Sequence, residues 1–433
     1  MTSIYGWGRY PQIDASVYSA SSNSEAVKKL AQINTVIARG LGRSYGDSAL
    51  SANICSTGAL THLLDFDATT GVVRCQAGVS LADLLAVFVP RGWFIPVTPG
   101  TRFVTVGGAI ASDVHGKNHH IDGCFSAHVI DLKVALASGD VITCSLNKHT
   151  DLFRATCGGM GLTGIILEAR IQLRRISSAF IDETTLKAAN IDQALSLFES
   201  NAGSTYSVAW IDCLKRGPAL GRSLIMLGEH VQHGELVVAR KKILALPIDM
   251  PSFLLNKFSI AAFNALYFNR VRASRQQRVV HYEPFFYPLD GIQHWNRLYG
   301  KKGFLQYQFV IPKAAGETAM REILQRIARS GRGSFLAVLK VFGKQNENYL
   351  SFPFEGYTLA LDFKLENGLF ELLDELDRQV LDYGGRVYLT KDARMSETTF
   401  KQSYPQWEQF QQVRERYGAL HKFASLQSRR LGL

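Results

Sequence analysis

Cysteine is scarce and unpatterned in this 433-residue chain: Cys55, Cys75, Cys124, Cys144, Cys157 and Cys213 form neither a CxxC pair nor a cluster with histidines. That argues against a zinc module or a disulfide scaffold and fits a reducing compartment. Long apolar runs are missing as well. The most hydrophobic region, residues 243–268, is broken by Pro247, Asp249, Pro251 and Lys257, and the N-terminus carries Arg9 and Asp14 without an apolar stretch. Neither a membrane-spanning helix nor a secretory signal is read. Repeats and low-complexity tracts are absent, and 46% hydrophobic residues against 20% charged exclude disorder. Acidic residues are in deficit, 37 against 48 basic, which leaves a net charge of +11. Such a protein is drawn to something anionic, whether nucleic acid, lipid headgroups or phosphorylated ligands. Its basic residues are scattered and no helix-turn-helix, OB or RRM signature is present, so no nucleic-acid partner is expected.

At roughly 100–200 residues per domain, the length implies two or three domains. Val72 to Gly78 reads as a strand, and Ser80 then caps a helix running to Phe88. Residues 129–136 and 141–144, joined by Ser138-Gly139-Asp140, read as a hairpin. Beyond Arg175 the texture shifts to longer apolar strands (303–311, 334–342 and 356–363) alternating with helical segments (315–328 and 368–383). That alternation suggests a second α+β domain on an antiparallel sheet, with linkers near 176–182 and 384–388.

Three glycine-rich stretches stand out. Ala38 to Asp47 follows the apolar strand 35–38, and its backbone amides could converge on a phosphate with help from Arg39, Arg43 and Ser44; a tight turn is the plain alternative. Pro99 to Ala111 has the low bulk that a cradle for a planar cofactor needs, and Gly158 to Gly164 repeats the idea. None follows the strand-GxGxxG-helix order of a nicotinamide site, and layer packing would also explain each one. His115, Lys117, His119 and His120 crowd one segment after the second stretch. A metal is disfavoured there, so His115 is read as facing a ligand and His119 and His120 as local hydrogen-bonders. Lys391, beside Asp392 and Arg394, reads equally as a site residue or a surface ion pair.

In order along the chain, Gly6-Trp7-Gly8-Arg9, residues 38–47, 99–120 and 161–166, Trp295-Asn296-Arg297 with 304–312, 388–394 and Phe423-Ala424-Ser425 resemble the decaprenylphosphoryl-ribose 2'-oxidase family. These are flavoproteins of the vanillyl-alcohol-oxidase (p-cresol methylhydroxylase, PCMH) fold. The resemblance implies an α+β, two-domain PCMH-type FAD-binding fold with an inserted substrate domain. The FAD domain would comprise residues 1–178 and a C-terminal segment, 386–433; the insert would be 179–385. Ala38, Arg39, Gly40, Leu41, Gly42, Arg43, Ser44, Tyr45, Gly46, Asp47 and Ser48 would hold the pyrophosphate. Gly100, Thr105, Val106, Gly107, Gly108, Ser112, Asp113, Val114, His115, Ile166 and Tyr388 would complete the FAD shell. Arg43 stands where many relatives carry a flavin-linking histidine, so the FAD is expected to be non-covalent.

The family oxidises the 2'-hydroxyl of a ribose carried on a polyprenyl phosphate, the first half of an epimerisation in cell-envelope arabinose synthesis that a separate NAD(P)H-dependent short-chain reductase completes. The resemblance makes Lys391 the leading catalytic residue, with Tyr45, His115 and Lys117 around it, and assigns Gln308, Lys340, Thr358, Ala360 and Arg297 to the substrate. Lys340 is also singular by itself, a lysine inside an apolar strand. Where mycobacterial members read Asn-Ile-Cys-Val-Asp-Phe, this chain has Thr358 to Phe363, with Thr358 and Ala360 replacing the asparagine and cysteine. Phe-Tyr-His-Pro becomes Phe285-Phe286-Tyr287-Pro288. An aldonolactone or free-sugar oxidase of the same fold is the competing expectation. A cytoplasmic protein, peripheral on the inner face of the plasma membrane, is expected, because residues 241–278 interleave apolar stretches with Lys241, Lys242, Lys257, Arg270, Arg272, Arg275 and Arg278.

Overall fold

A computed structural model describes residues 1–238 and 244–433; Lys241 and Lys242 lie outside the described residues. The N-terminal part is an α+β unit of two small sheets and a two-stranded pair, Trp93–Phe94 with Arg174–Arg175. Thr2–Tyr5 pairs antiparallel with Gln12–Ser19, which runs parallel to Asn53–Ser56, itself parallel to Ile37–Arg39. A five-stranded antiparallel sheet follows in the order Leu63–Asp67, Val72–Gln76, Ile165–Gln172, Val129–Ala135, Val141–Cys144. The Leu81–Phe88 helix begins at a reciprocal cap between Ser80 and Asp83 and buries Leu81, Leu84, Leu85 and Phe88, an i, i+3, i+4, i+7 stripe. The Val129–Ala135/Val141–Cys144 hairpin turns where the sequence places it, with Gly139 at φ +92°.

Residues 180–387 carry an eight-stranded, wholly antiparallel sheet. Its order is Arg275–His281, Phe180–Ala188, Ser223–His230, Tyr206–Ile211, Ala337–Phe342, Gly356–Lys364, Phe304–Pro312, Arg386–Val387. The Ile191–Ser200, Gly316–Ser330 and Leu369–Asp382 helices supply buried side chains to the same core as Leu305, Tyr307, Phe309, Ile311, Leu339, Leu359 and Leu361, the odd-numbered positions of their strands. Side chains alternate along a strand, so the even-numbered positions face the other way. The strand expected from Ser334 starts three residues later, because the Ser334 hydroxyl is spent on Leu336 O (2.7 Å) and on the Asp362 amide (3.1 Å).

The end of the chain returns to the N-terminal part. Phe423 bridges to Val36, a residue read as part of the preceding strand. The wholly buried Arg414 donates to Leu162 O (3.1 Å) and Phe423 O (2.9 Å). Arg430 ties Asp47 (2.7 Å) to Asp392 (2.9 Å). Within 244–278, the Lys257–Asn269 helix lies partly on the sheet, with Phe268 and Val271 packed on Trp210 and Leu224. Residues 275–281 form an edge strand of that sheet.

Candidate active site

The loop after Ile37–Arg39 is closed by protein contacts on its flanks. A Cβ on Gly40 would lie 2.3 Å from Thr105 Oγ1, and one on Gly46 only 1.8 Å from Asp392 O. Glycine at these two positions thus lets the loop approach both the Thr105 turn and the C-terminal segment. The arginine side chains are already engaged. Arg39 donates to Tyr5 O (2.7 Å), and Arg43 donates to Phe103 O (3.1 Å) with its guanidinium 4.1 Å from the Trp7 ring centre. Asp47 is taken by Arg430. What remains is backbone: among the described residues, the amides of Leu41, Gly42, Arg43 and Ser44 have no acceptor. Leu41 is exposed, Ala38 lies in the middle of the strand, and Ser48 is buried.

Opposite, Thr105 caps the Val106–Ala111 helix through the Gly108 amide (3.1 Å), and a Cβ on Gly107 would press on Ala77 at 3.0 Å. Space around Gly100 is open. Asp113, in left-handed backbone at φ +39°, is fully buried and satisfied internally. Its carboxylate accepts from the Ser126 amide (3.1 Å), Asn346 (2.7 Å), Asn348 (2.8 Å) and Ser351 (2.7 Å), so it fixes the 112–116 segment rather than facing a ligand. Ser112 O receives the Tyr388 hydroxyl (2.9 Å); Val114 and Ile166 are buried core residues.

The even-numbered face of the large sheet presents a polar row. The register pairs Gln306 with Asp362, Gln308 with Ala360, and Thr358 with both Val310 and Lys340. Gln308 donates to His115 Nε2 (3.0 Å) and to Thr358 Oγ1 (3.3 Å). Burial and the nearby charges of Lys340, His119 and Lys391 hold His115 neutral, well below the ordinary imidazole range. Since Nε2 accepts, the proton sits on Nδ1, which is buried and has no partner. His119 accepts from the Gly343 amide (3.1 Å) and His120 meets Ser204 O (2.9 Å), so both act locally.

Three lysines converge on this space. Lys117 donates to Phe285 O and lies 4.3 Å from the centre of that ring; burial and the charge of Lys340 push it down to about 7. Lys340 is pushed down to about 8 by burial alone. The Lys391 ammonium sits 3.9 Å from the Tyr45 ring centre and is pushed down to about 7 by burial against the opposing pull of Asp362. Beneath them lies a group that the sequence reading left without a role. Asp362, fully buried, accepts from Gln306 Nε2 (2.6 Å) and the Tyr299 hydroxyl (3.5 Å), and burial raises its carboxyl to about 7. Its signal was available: a carboxylate inside an apolar strand is as singular as Lys340. Arg297 stands apart from the group, donating to Leu246 O (2.7 Å) and Pro247 O (2.9 Å).

Unengaged amides on one loop, open space at Gly100, an Nδ1–H without a partner among the described residues and half-buried lysines with no ion-pair contact among them fit a large anionic planar group between the two parts of the chain. Residues 14–145 match the model of the FAD binding domain family. The chain is 39% identical, over 99% of its length and 97% of the relative's, to the decaprenylphosphoryl-beta-D-ribose oxidase of Mycolicibacterium smegmatis. It is 32% identical to an uncharacterised protein of Streptomyces coelicolor over 82% of this chain and all of that one. At 22% identity and 98% coverage of both chains it is also similar to L-gulono-1,4-lactone dehydrogenase of Mycobacterium tuberculosis.

Proposed function

The chain belongs to the decaprenylphosphoryl-beta-D-ribose oxidase family of FAD-dependent oxidoreductases, and on that premise we propose that its substrate is a polyprenylphosphoryl pentose oxidised at the 2'-hydroxyl. The observation that carries this reading is the polar row of buried Gln306, Gln308 and Thr358 with half-buried Lys340 on one sheet face, closed over by His115, Lys391 and Tyr45. FAD, when bound, supplies the acceptor for the hydride that leaves the carbinol carbon. The amides of residues 41–44 would hold its pyrophosphate, with the Thr105 to His115 segment and Tyr388 lining the rest. Lys391 orients the substrate hydroxyl and balances negative charge in the site. Gln308 fixes the His115 tautomer, and Lys340, with no ion-pair partner among the described residues, suits a substrate bearing phosphate. Ala360 leaves more room than the cysteine of the mycobacterial members and Thr358 offers a hydroxyl where they have an amide, which would shift selection among sugars.

On this reading the keto sugar is passed to a separate NAD(P)H-dependent reductase that completes an epimerisation, a sequence suited to cell-envelope arabinose synthesis. Phe253, Phe258 and Leu266 are 71%, 73% and 76% exposed beside Lys257, Arg270 and Arg272, a surface suited to anionic lipid. No helix among the described residues is long and apolar enough to cross a membrane, so this contact would be peripheral. The test is bleaching of the bound flavin under anaerobic conditions. A short-chain prenylphosphoryl pentose should reduce it while L-gulono-1,4-lactone does not; the reverse order favours the lactone reading.

A further inference from the structure

We propose that the outward face of the Lys257–Asn269 helix, with the half-open aromatic strip that joins it to the site, is the seat of the substrate's isoprenoid chain. The protein then holds the lipid of a prenylphosphoryl sugar while the sugar is oxidised. The choice of occupant rests on the substrate class inferred above; the apolar seat does not.

The polarity of this helix is inverted. Asn256 and Ser259 cap each other at its start, and along it only Ile260, Asn264 and Phe268, spaced four apart, are buried. The middle one of the three is polar. Asn264, wholly buried, donates to one oxygen of Asp212 (2.9 Å), whose other oxygen receives Arg222 (3.0 Å). Phe258, Phe263 and Leu266 lie off that stripe and are 73%, 41% and 76% exposed. A helix that buries its amide and exposes its rings is built for an apolar partner outside the fold.

A run of ring contacts ties this face to the chemistry. Phe263 meets Phe335 edge-on (5.8 Å between ring centres), and Phe335 stacks on Tyr299 (5.7 Å). Tyr299 stacks on Phe304 (4.2 Å), which meets Tyr45 edge-on (5.5 Å), the ring beneath the Lys391 ammonium. Packing along this run is half-open. Trp295, Tyr299 and Phe304 are buried, whereas eight further apolar side chains, Tyr45, Leu255, Leu289, Ile292 and Phe335 among them, are covered only in part. In the other apolar clusters among the described residues, buried members outnumber such part-covered ones. Charge then selects the occupant. Residues 250–282 contain no Asp or Glu and carry Lys257, Arg270, Arg272 and Arg275 besides Arg278, which Glu183 holds. A second copy of this face therefore meets like charge, which disfavours self-association. A bilayer reaches only the outer end of the strip. A single chain, apolar along its length and joined through phosphate to the reacting sugar, fits the strip throughout and brings its anion to the lysines of the site.

The seat is measured without turnover. In the FAD-loaded protein, free of detergent and below micelle formation, calorimetry gives affinities for dimethylallyl, geranyl, farnesyl and geranylgeranyl phosphate, with inorganic phosphate as the headgroup control. Wild type should bind roughly three- to tenfold more tightly with each added isoprene. Phe263→Ser, on the exposed face, should flatten that series and leave inorganic phosphate unchanged. Leu255→Asn is the second variant, and flavin retention with the melting temperature checks that both are folded. If neither folds, a benzophenone-bearing farnesyl phosphate on wild type decides: its label should fall within residues 253–266 or 289–304. Affinity independent of chain length in wild type, a series unchanged in both variants, or label confined elsewhere overturns the proposal. Loss of vesicle binding in both variants with the series intact overturns it in favour of the bilayer, and loss of a concentration-dependent dimer with the series intact does so in favour of a second copy. Should the series behave as expected while no prenylphosphoryl pentose reduces the flavin, the sugar is misread and the chain seat stands.

Discussion

Replacing Asp113 by alanine tests whether the site's geometry depends on one buried carboxylate. Four donors lose their acceptor: the Ser126 amide, Asn346, Asn348 and Ser351. Asn346 is partly exposed and recovers a bond from water, whereas Ser126, Asn348 and Ser351 are 5%, 4% and 0% exposed and do not. Three dry donors at about 1–3 kcal/mol each set a gross loss of roughly 3–9 kcal/mol. Asn348 keeps a bond to Ser126 Oγ (2.9 Å), and a desolvated charge disappears. The net loss is therefore expected at roughly 3–5 kcal/mol. Asp113→Asn, which keeps one acceptor oxygen, should lose less. Because these bonds join residues 112–116 of the N-terminal part to residues 346–351, beside the strands of the large sheet, the loss should reach FAD retention as well as stability. Urea unfolding of the holoprotein, with the flavin spectrum after gel filtration as second readout, measures both. A wild-type urea midpoint with full flavin retention in Asp113→Ala would falsify the reasoning.

Lys391→Ala should bind FAD normally yet lose about 10²-fold or more in substrate-driven reduction, because a positioned charge disappears; near-normal reduction in stopped flow would return Lys391 to a structural role. Acid or heat should release all of the yellow colour into solution, since Arg43 occupies the linking position; colour left in the pellet contradicts that. Lys117, Lys340 and Lys391 bind protons less readily when folded (about 7, 8 and 7 against the usual 10.5), so the unfolded chain holds more protons above pH 7. Thermal stability of the apoprotein should therefore rise from pH 7 toward about 8.5, before the buried cysteines of the folded state reverse the sign; a flat or falling melting profile in that window would contradict these values. Sedimentation with anionic vesicles should weaken when Phe253, Phe258 and Leu266 become serine, and equal partitioning rejects that surface.

Local signals carried far in this chain. The Ser80 cap, the 138–140 turn and the apolar periods of the long strands act within a few residues, and the structure follows them. Lys340 was legible because a lysine inside an apolar strand needs a reason. Asp362 obeys the same logic, but its meaning depends on register: only the pairing of residue 306 with 362 brings an amide to that carboxylate. Long side chains were the least readable. Arg39 and Arg43 sit in a phosphate-like loop yet turn to Tyr5 O and the Trp7 ring, and Arg278, in a run of basic residues, crosses its sheet edge to Glu183 (2.8 Å). A flexible stem reaches several acceptors from one backbone position, and tertiary packing chooses among them.

The return of the chain end to its beginning bears on how the protein is made. The loop that begins at Gly40 is locked by Arg430 through Asp47, and Val36 finds its bridging partner at Phe423. During synthesis, then, the N-terminal part leaves the ribosome with its cofactor loop unfastened, and everything from residue 48 to residue 422 is translated before the fastening arrives. A chain cut short by its last few residues would keep every glycine of the loop and still lack the clasp.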